Sequence, residues 1–116
     1  MFRIFSVKEK TMLTQNAAIN TVQNYAKEIN SRGVNLRKVI LFGSFAKGTQ
    51  HEWSDIDVAL VADDFSGVGF LDRKRFSGIN IKDPYMMIEP ITYPTDYFEE
   101  SDPFIEEIKK TGIEII

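Results

Sequence analysis

The 116-residue chain has no cysteine, one histidine and one tryptophan. Without cysteine there are no disulfides and no thiolate metal sites, so a metal must be held by oxygen or by His51 alone. No apolar run approaches the about 20 residues that a membrane helix needs, and Arg3, Lys8 and Lys10 interrupt the N-terminus too early for a secretory apolar region. The resulting expectation is a cytoplasmic protein with no membrane contact. Repeats, low-complexity tracts and linker-like stretches are also missing, and at this length one domain with a single core is the economical description. Positive charge is scarce after Gln50. Residues 51–116 hold six basic against fifteen acidic residues, −9, whereas residues 1–50 hold eight against two, +6. Nucleic acid is bound mainly through cationic contacts to phosphates, so the acidic part is a poor platform for it. The charge favours a small anionic ligand held locally, or a protein partner.

What is present reads as one α/β domain. Residues 1–10 show no period and are set apart as an N-terminal extension, leaving 11–116 as the folded unit. Met12, Gln15, Ile19, Val22, Ala26 and Ile29 recur at helical spacing, with Thr11 or Thr14 as the N-cap and Gly33 beyond the end. Leu36–Phe42 predicts a buried strand stopped by Gly43, and Ser44–Lys47 one helical turn before Gly48. Residues 55–62 predict a second strand, whose alternation puts Asp55, Asp57, Ala59 and Val61 on one face and Ile56, Val58 and Leu60 on the other. Residues 70–81 predict a helix with Arg73, Lys74 and Arg75 facing a ligand phosphate or, more simply, on a solvated face. Residues 85–91 predict a third strand, with Pro90 either pushing it toward an edge or marking its end. A last helix is bounded by Asp102 as N-cap and Gly112, with Pro103 first and Lys109 and Lys110 late. Residues 113–116 are a short strand or a docked tail.

The chemistry concentrates between Val39 and Val61. Gly43 allows close backbone approach to a ligand, Ser44 opens a helical turn whose free N–H groups and hydroxyl suit phosphate oxygens, and Lys47 adds a positive charge. The next strand brings Asp55 and Asp57 together, and Glu89 is the only acid in the third apolar run. Such oxygen ligands, without cysteine or several histidines, suit Mg²⁺, which completes its shell with substrate phosphates and water. One or two ions could then bridge a nucleotide's phosphates and hold an attacking hydroxyl, with Glu89 as either metal ligand or base. Read singly, Ser54 and Asp55 could cap a turn and Glu89 could pair with Arg73; read together, three neighbouring carboxylates call for a cation. His51 and Trp53 read as loop residues.

The string from Leu41 to Thr49, Leu-Phe-Gly-Ser-Phe-Ala-Lys-Gly-Thr, followed by Ser54-Asp55-Ile56-Asp57, resembles the nucleotidyltransferase superfamily related to DNA polymerase beta, in its minimal single-domain branch. The similarity continues through Ile88-Glu89-Pro90 and Asp102-Pro103-Phe104, from about Thr14 to Ile116. Lys47 stands where many relatives have Arg, and Glu89 where larger relatives have Asp. The resemblance implies a small mixed sheet flanked by helices, Mg²⁺ on Asp55 and Asp57 with Glu89 in the third place, and Gly43 and Ser44 on a triphosphate. Members of this branch often lie beside a small helical protein of the HEPN type and look like antitoxins, some transferring AMP from ATP to a hydroxyl of that partner. The expected activity is therefore adenylyl transfer to a partner's hydroxyl. The chain has too few residues left for an acceptor domain, so the acceptor site needs a partner or a second copy. Two other functions share these residues: a binding module that neutralises its partner without catalysis, and a transferase for a small hydroxylated molecule of the antibiotic type.

Overall fold

The computed structural model describes residues 13–116. The extension expected over residues 1–10, and the helix start expected at Thr11 or Met12, lie outside the described residues. Helix α1 spans Gln15–Ser31 and is capped by Thr14, whose hydroxyl accepts from the Ala17 N–H at 3.0 Å. Its apolar stripe buries Ala18, Val22, Tyr25, Ala26 and Ile29, and the chain then turns through Gly33 at φ +90°. There follow β1 (Leu36–Phe42), the single turn α2 (Ser44–Lys47), β2 (Ile56–Ala62), α3 (Gly69–Arg73), β3 (Ile88–Pro94), α4 (Thr95–Glu100), α5 (Pro103–Thr111) and β4 (Ile113–Glu114).

The four strands form one mixed sheet in the order β3-β2-β1-β4. β1 is antiparallel to β2 and β4, and β2 is parallel to β3. Period-two alternation divides the strands between two cores. Val39, Leu41, Ile56, Val58 and Leu60 meet α1 on one face, while Ile40, Ala59, Val61 and Tyr93 meet Phe98 of α4 and Ile105 and Ile108 of α5 on the other. Both faces are covered, which is why these strands are almost continuously apolar.

Three boundaries differ from the sequence reading, and one helix was not anticipated. The second strand starts at Ile56, leaving Asp55 exposed in the loop before it. The helix expected over 70–81 survives only as α3 and a 3₁₀ turn, Lys74–Phe76, before Gly78 at φ +89° turns the chain. The third strand is Ile88–Pro94 rather than 85–91, and Tyr85–Met87 forms a 3₁₀ turn instead. Side-chain hydrogen bonds explain that shift: the Tyr85 hydroxyl donates to Glu28 at 2.8 Å, and Asn80 accepts the Tyr25 hydroxyl at 2.5 Å while donating to the Ile88 carbonyl at 3.2 Å. The loop is thereby tied to α1. Helix α4 had no strong local signal, since it is six residues long and ends in Glu99 and Glu100, where the helix dipole disfavours acids. Buried Phe98 anchors it.

β3 is an edge strand of the described sheet, one of the two readings that Pro90 left open, and it runs on past Pro90 to Pro94. Pro90 and Pro94 lack N–H donors, the Arg73 guanidinium donates to the Pro90 carbonyl at 3.2 Å, and Asn80 occupies that of Ile88. Asp72 of α3 is a buried carboxylate held by four donors: the Ser66 N–H at 2.8 Å, the Ser66 hydroxyl at 2.9 Å, the Gly67 N–H at 2.9 Å and the Thr92 hydroxyl at 2.7 Å. It joins the loop after β2 to β3.

Candidate active site

Strand register sets Phe42, Asp57 and Glu89 in one row. Phe42 lies opposite Asp57 in the antiparallel pair, and Asp57 beside Glu89 in the parallel pair. Paired residues share a face at the strand spacing of about 4.8 Å, and here it is the α5 face, the one carrying Ala59 and Val61. Asp57 is half-buried and Glu89 is exposed. Desolvation first, then the negative charges of Asp55 and Glu89, push the Asp57 carboxyl up. All three influences oppose its ionisation, and a cation would reverse them.

Gly43 joins the phosphate turn to this row. Its backbone sits at φ +74° and ψ −151°, and a Cβ there would overlap a carboxylate oxygen of Asp57. Glycine is thus required twice, by conformation and by contact. The turn that follows is closed by the Lys47 N–H on the Gly43 carbonyl at 3.1 Å, and Gly48 leads the chain out at φ +76°. From α1, the Gln15 amide donates to the carbonyls of Phe45 at 2.8 Å and Ala46 at 3.2 Å. Sequence spacing had made Gln15 only a member of the helix stripe; its contact with the turn is a tertiary fact.

A cleft of about 480 Å³ opens over the carboxylate row. Gly43, Lys47, Asp57 and Glu89 line it, with Phe42, Pro90 and Ile91 beside them and Phe104, Glu107, Ile108 and Thr111 of α5 opposite. The Phe42 and Phe104 rings meet edge to face at 5.8 Å, and the Lys47 ammonium lies 3.7 Å from the Glu107 carboxylate. Four of the six expected site residues therefore share one cleft. Ser44 and Asp55 are not among its lining residues: Ser44 is the first residue of α2, and Asp55 lies just before β2, its charge felt at Asp57. Arg73 bonds the Pro90 carbonyl rather than Glu89, and Arg75 pairs with Asp64 at 2.9 Å. His51 and Trp53 are exposed in the loop before β2 and do not line the cleft.

Among the described residues no three or more His, Cys, Asp or Glu side chains are gathered closely enough to hold a metal by themselves. The Asp57–Glu89 pair nevertheless fits Mg²⁺, which commonly takes one or two protein carboxylates and fills its remaining positions with water and substrate phosphates.

Residues 22–115 match the nucleotidyltransferase domain family. The chain belongs to that family. As a nucleotidyltransferase it is 28% identical over 103 residues to a Methanocaldococcus jannaschii protein provisionally named a protein adenylyltransferase, covering 84% of this chain and 97% of that one. In fold it is similar to a provisionally named nucleotidyltransferase from Sulfolobus solfataricus, with TM-score 0.62 and 20% identity over 90% of this chain and 85% of the other. A structure of a toxin–antitoxin with AMP-PNP is also similar, with TM-score 0.54 and 19% identity over 81% of this chain and 72% of that one. The mixed sheet between helix layers is the nucleotidyltransferase fold, and among the described residues no helix is long and apolar enough to cross a membrane.

Proposed function

We propose that the chain transfers AMP from ATP, with Mg²⁺, to a hydroxyl on a protein partner of the HEPN type, as the antitoxin of a toxin–antitoxin pair. The observation that carries the catalytic part is the Asp57–Glu89 pair in strand register, against Gly43 and sharing a cleft with Lys47. The name of the Methanocaldococcus relative supports AMP and a protein acceptor, and the AMP-PNP-bound neighbour supports ATP and a toxin partner. The cleft volume of about 480 Å³ lies within the range of small-ligand sites.

In this reading Asp55 and Asp57 would hold Mg²⁺, with Glu89 in register beside Asp57. When bound there, Mg²⁺ would supply a positive charge against the charge developing on the reacting phosphate. Gly43 leaves room for the Asp57 carboxylate, and Ser44 and Lys47 hold the phosphates that leave as pyrophosphate. The acceptor oxygen bonds to the α-phosphorus as the bond to pyrophosphate breaks. Glu89, open to solvent on the edge strand, either completes the ion's shell or takes the acceptor's proton. The acceptor in this reading is a hydroxyl of the partner chain.

The test is incubation of the protein with α-labelled ATP, Mg²⁺ and a HEPN-type partner. Label should move to the partner with wild type and not with Asp57→Ala. An unlabelled partner, or equal labelling by Asp57→Ala, refutes the reading; label on a small hydroxylated acceptor instead would identify a small-molecule transferase.

A further inference from the structure

Among the described residues lining the cleft, Lys47 alone is basic, whereas Asp57, Glu89 and Glu107 are acidic. The first two carboxylates have a cation to expect; among the described residues Glu107 is paired with Lys47. It sits in the body of α5, beyond the first turn where an acid favours the helix dipole, and it faces the space into which a polyanion must come. Its carboxylate is 3.7 Å from the Lys47 ammonium, with the two side chains 55% and 47% exposed. At that separation and exposure the pair is weak and exchangeable. A strong pair would sequester Lys47, and no pair would leave an acid in the cleft with nothing to do.

We propose that Glu107 is a positioning residue that competes with the phosphates for Lys47. This rests on the reading that Lys47 serves the leaving phosphates. Glu107 holds the ammonium at the cleft while the site is empty, yields it to the more highly charged triphosphate, and takes it back as pyrophosphate departs. Substrate capture is weakened slightly, and so is retention of the product. Removing the Glu107 charge should therefore tighten binding of triphosphate and pyrophosphate together, the opposite of what loss of a binding or merely structural residue does.

The experiment is calorimetric titration with Mg²⁺ plus a non-hydrolysable ATP analogue, and separately with Mg²⁺ plus pyrophosphate, at low and high salt. The proteins are wild type, Glu107→Gln, Lys47→Met and the double variant. Glu107 is exposed, so the Gln variant keeps the fold. Glu107→Gln should bind both ligands about two- to fivefold more tightly at low salt, the scale of an exposed ion pair, with the gain shrinking at high salt. Lys47→Met should weaken both, and adding Glu107→Gln to it should recover nothing. Unchanged or weaker binding by Glu107→Gln, with Lys47→Met still weakened, overturns this inference and leaves the role of Lys47 standing. An equal gain in the Lys47→Met background overturns it too, since Glu107 would then act on the phosphates directly. Wild-type binding by Lys47→Met overturns both.

Discussion

Replacing Gly43 by Ala is the sharpest perturbation of the site, because one methyl group meets two obstacles. The first is the backbone, at φ +74° and ψ −151°, a region that residues with a Cβ rarely enter, at a cost of about 1–3 kcal/mol. The second is Asp57, whose carboxylate oxygen occupies the place of the new methyl and must leave its rotamer, at about 0.5–1.5 kcal/mol. Together Gly43→Ala should destabilise the fold by about 1.5–4.5 kcal/mol in urea unfolding. The two parts separate in a double-mutant cycle. In an Asp57→Ala background the carboxylate is gone, so Gly43→Ala should cost only its backbone share, with a coupling energy of about 0.5–1.5 kcal/mol. Leu→Ala at an unrelated exposed position, Leu71, serves as the additive control. Additivity of Gly43→Ala and Asp57→Ala would refute the contact argument. A Gly43→Ala protein as stable as wild type would refute the conformational one.

Asp57→Ala should lower transfer at least about a hundredfold, since a bound ion contributes several kcal/mol to the transition state, measured as label incorporated per minute; chelation by EDTA should do the same to wild type. Asp72→Ala should cost about 2–4 kcal/mol in urea unfolding, because it leaves buried donors on Ser66, Gly67 and Thr92 unpaired. The same carboxyl sets a pH dependence. Desolvation raises its pKa, but the bonds from Ser66, Thr92 and Gly67 outweigh burial and hold it below the ordinary value of 3.8. Stability from this group is thus fully present above the unfolded value and lost as pH falls through 3.8 and below, and Asp72→Asn should flatten the acid limb of a stability–pH profile. Gln15→Ala should weaken binding of an ATP analogue while costing about 1 kcal/mol of stability, since it frees the Phe45 and Ala46 carbonyls that fix the turn; calorimetry and urea unfolding read the two effects separately.

The parts of this domain legible from sequence are those whose determinants lie close together in the chain. β1 was bounded by an apolar run and a glycine, and α5 by Asp102, whose carboxylate does accept from the Ile105 N–H at 2.8 Å, with Pro103 and Gly112 at its ends. Gly43, Lys47 and Asp57 fall within one short stretch, and Glu89 was recoverable as an acid in an apolar run. What was hidden depends on distant partners. Tyr85-Met86-Met87 has the composition of a strand, yet the bonds of Tyr85 to Glu28 and to Asn80 take it out of the sheet. Asp72 fell within the helix expected over 70–81 with nothing to single it out, Gln15 read only as a member of the α1 stripe, and nothing local tied Glu107 to Lys47. Side-chain chemistry names what a residue can do, and only register and packing bring it to the partner with which it does it.

The closed outer edge of β3 bears on how this domain meets other chains. Two prolines remove donors there, and Arg73 and Asn80 already occupy carbonyls, so an incoming strand finds little backbone to zip onto. At the other end β4 is two residues long. Recognition must then be written in side chains rather than in main-chain pairing, a script that point mutations can edit. Along the described edges of the sheet, crowded copies of the domain find no ready seam on which to stack into fibres.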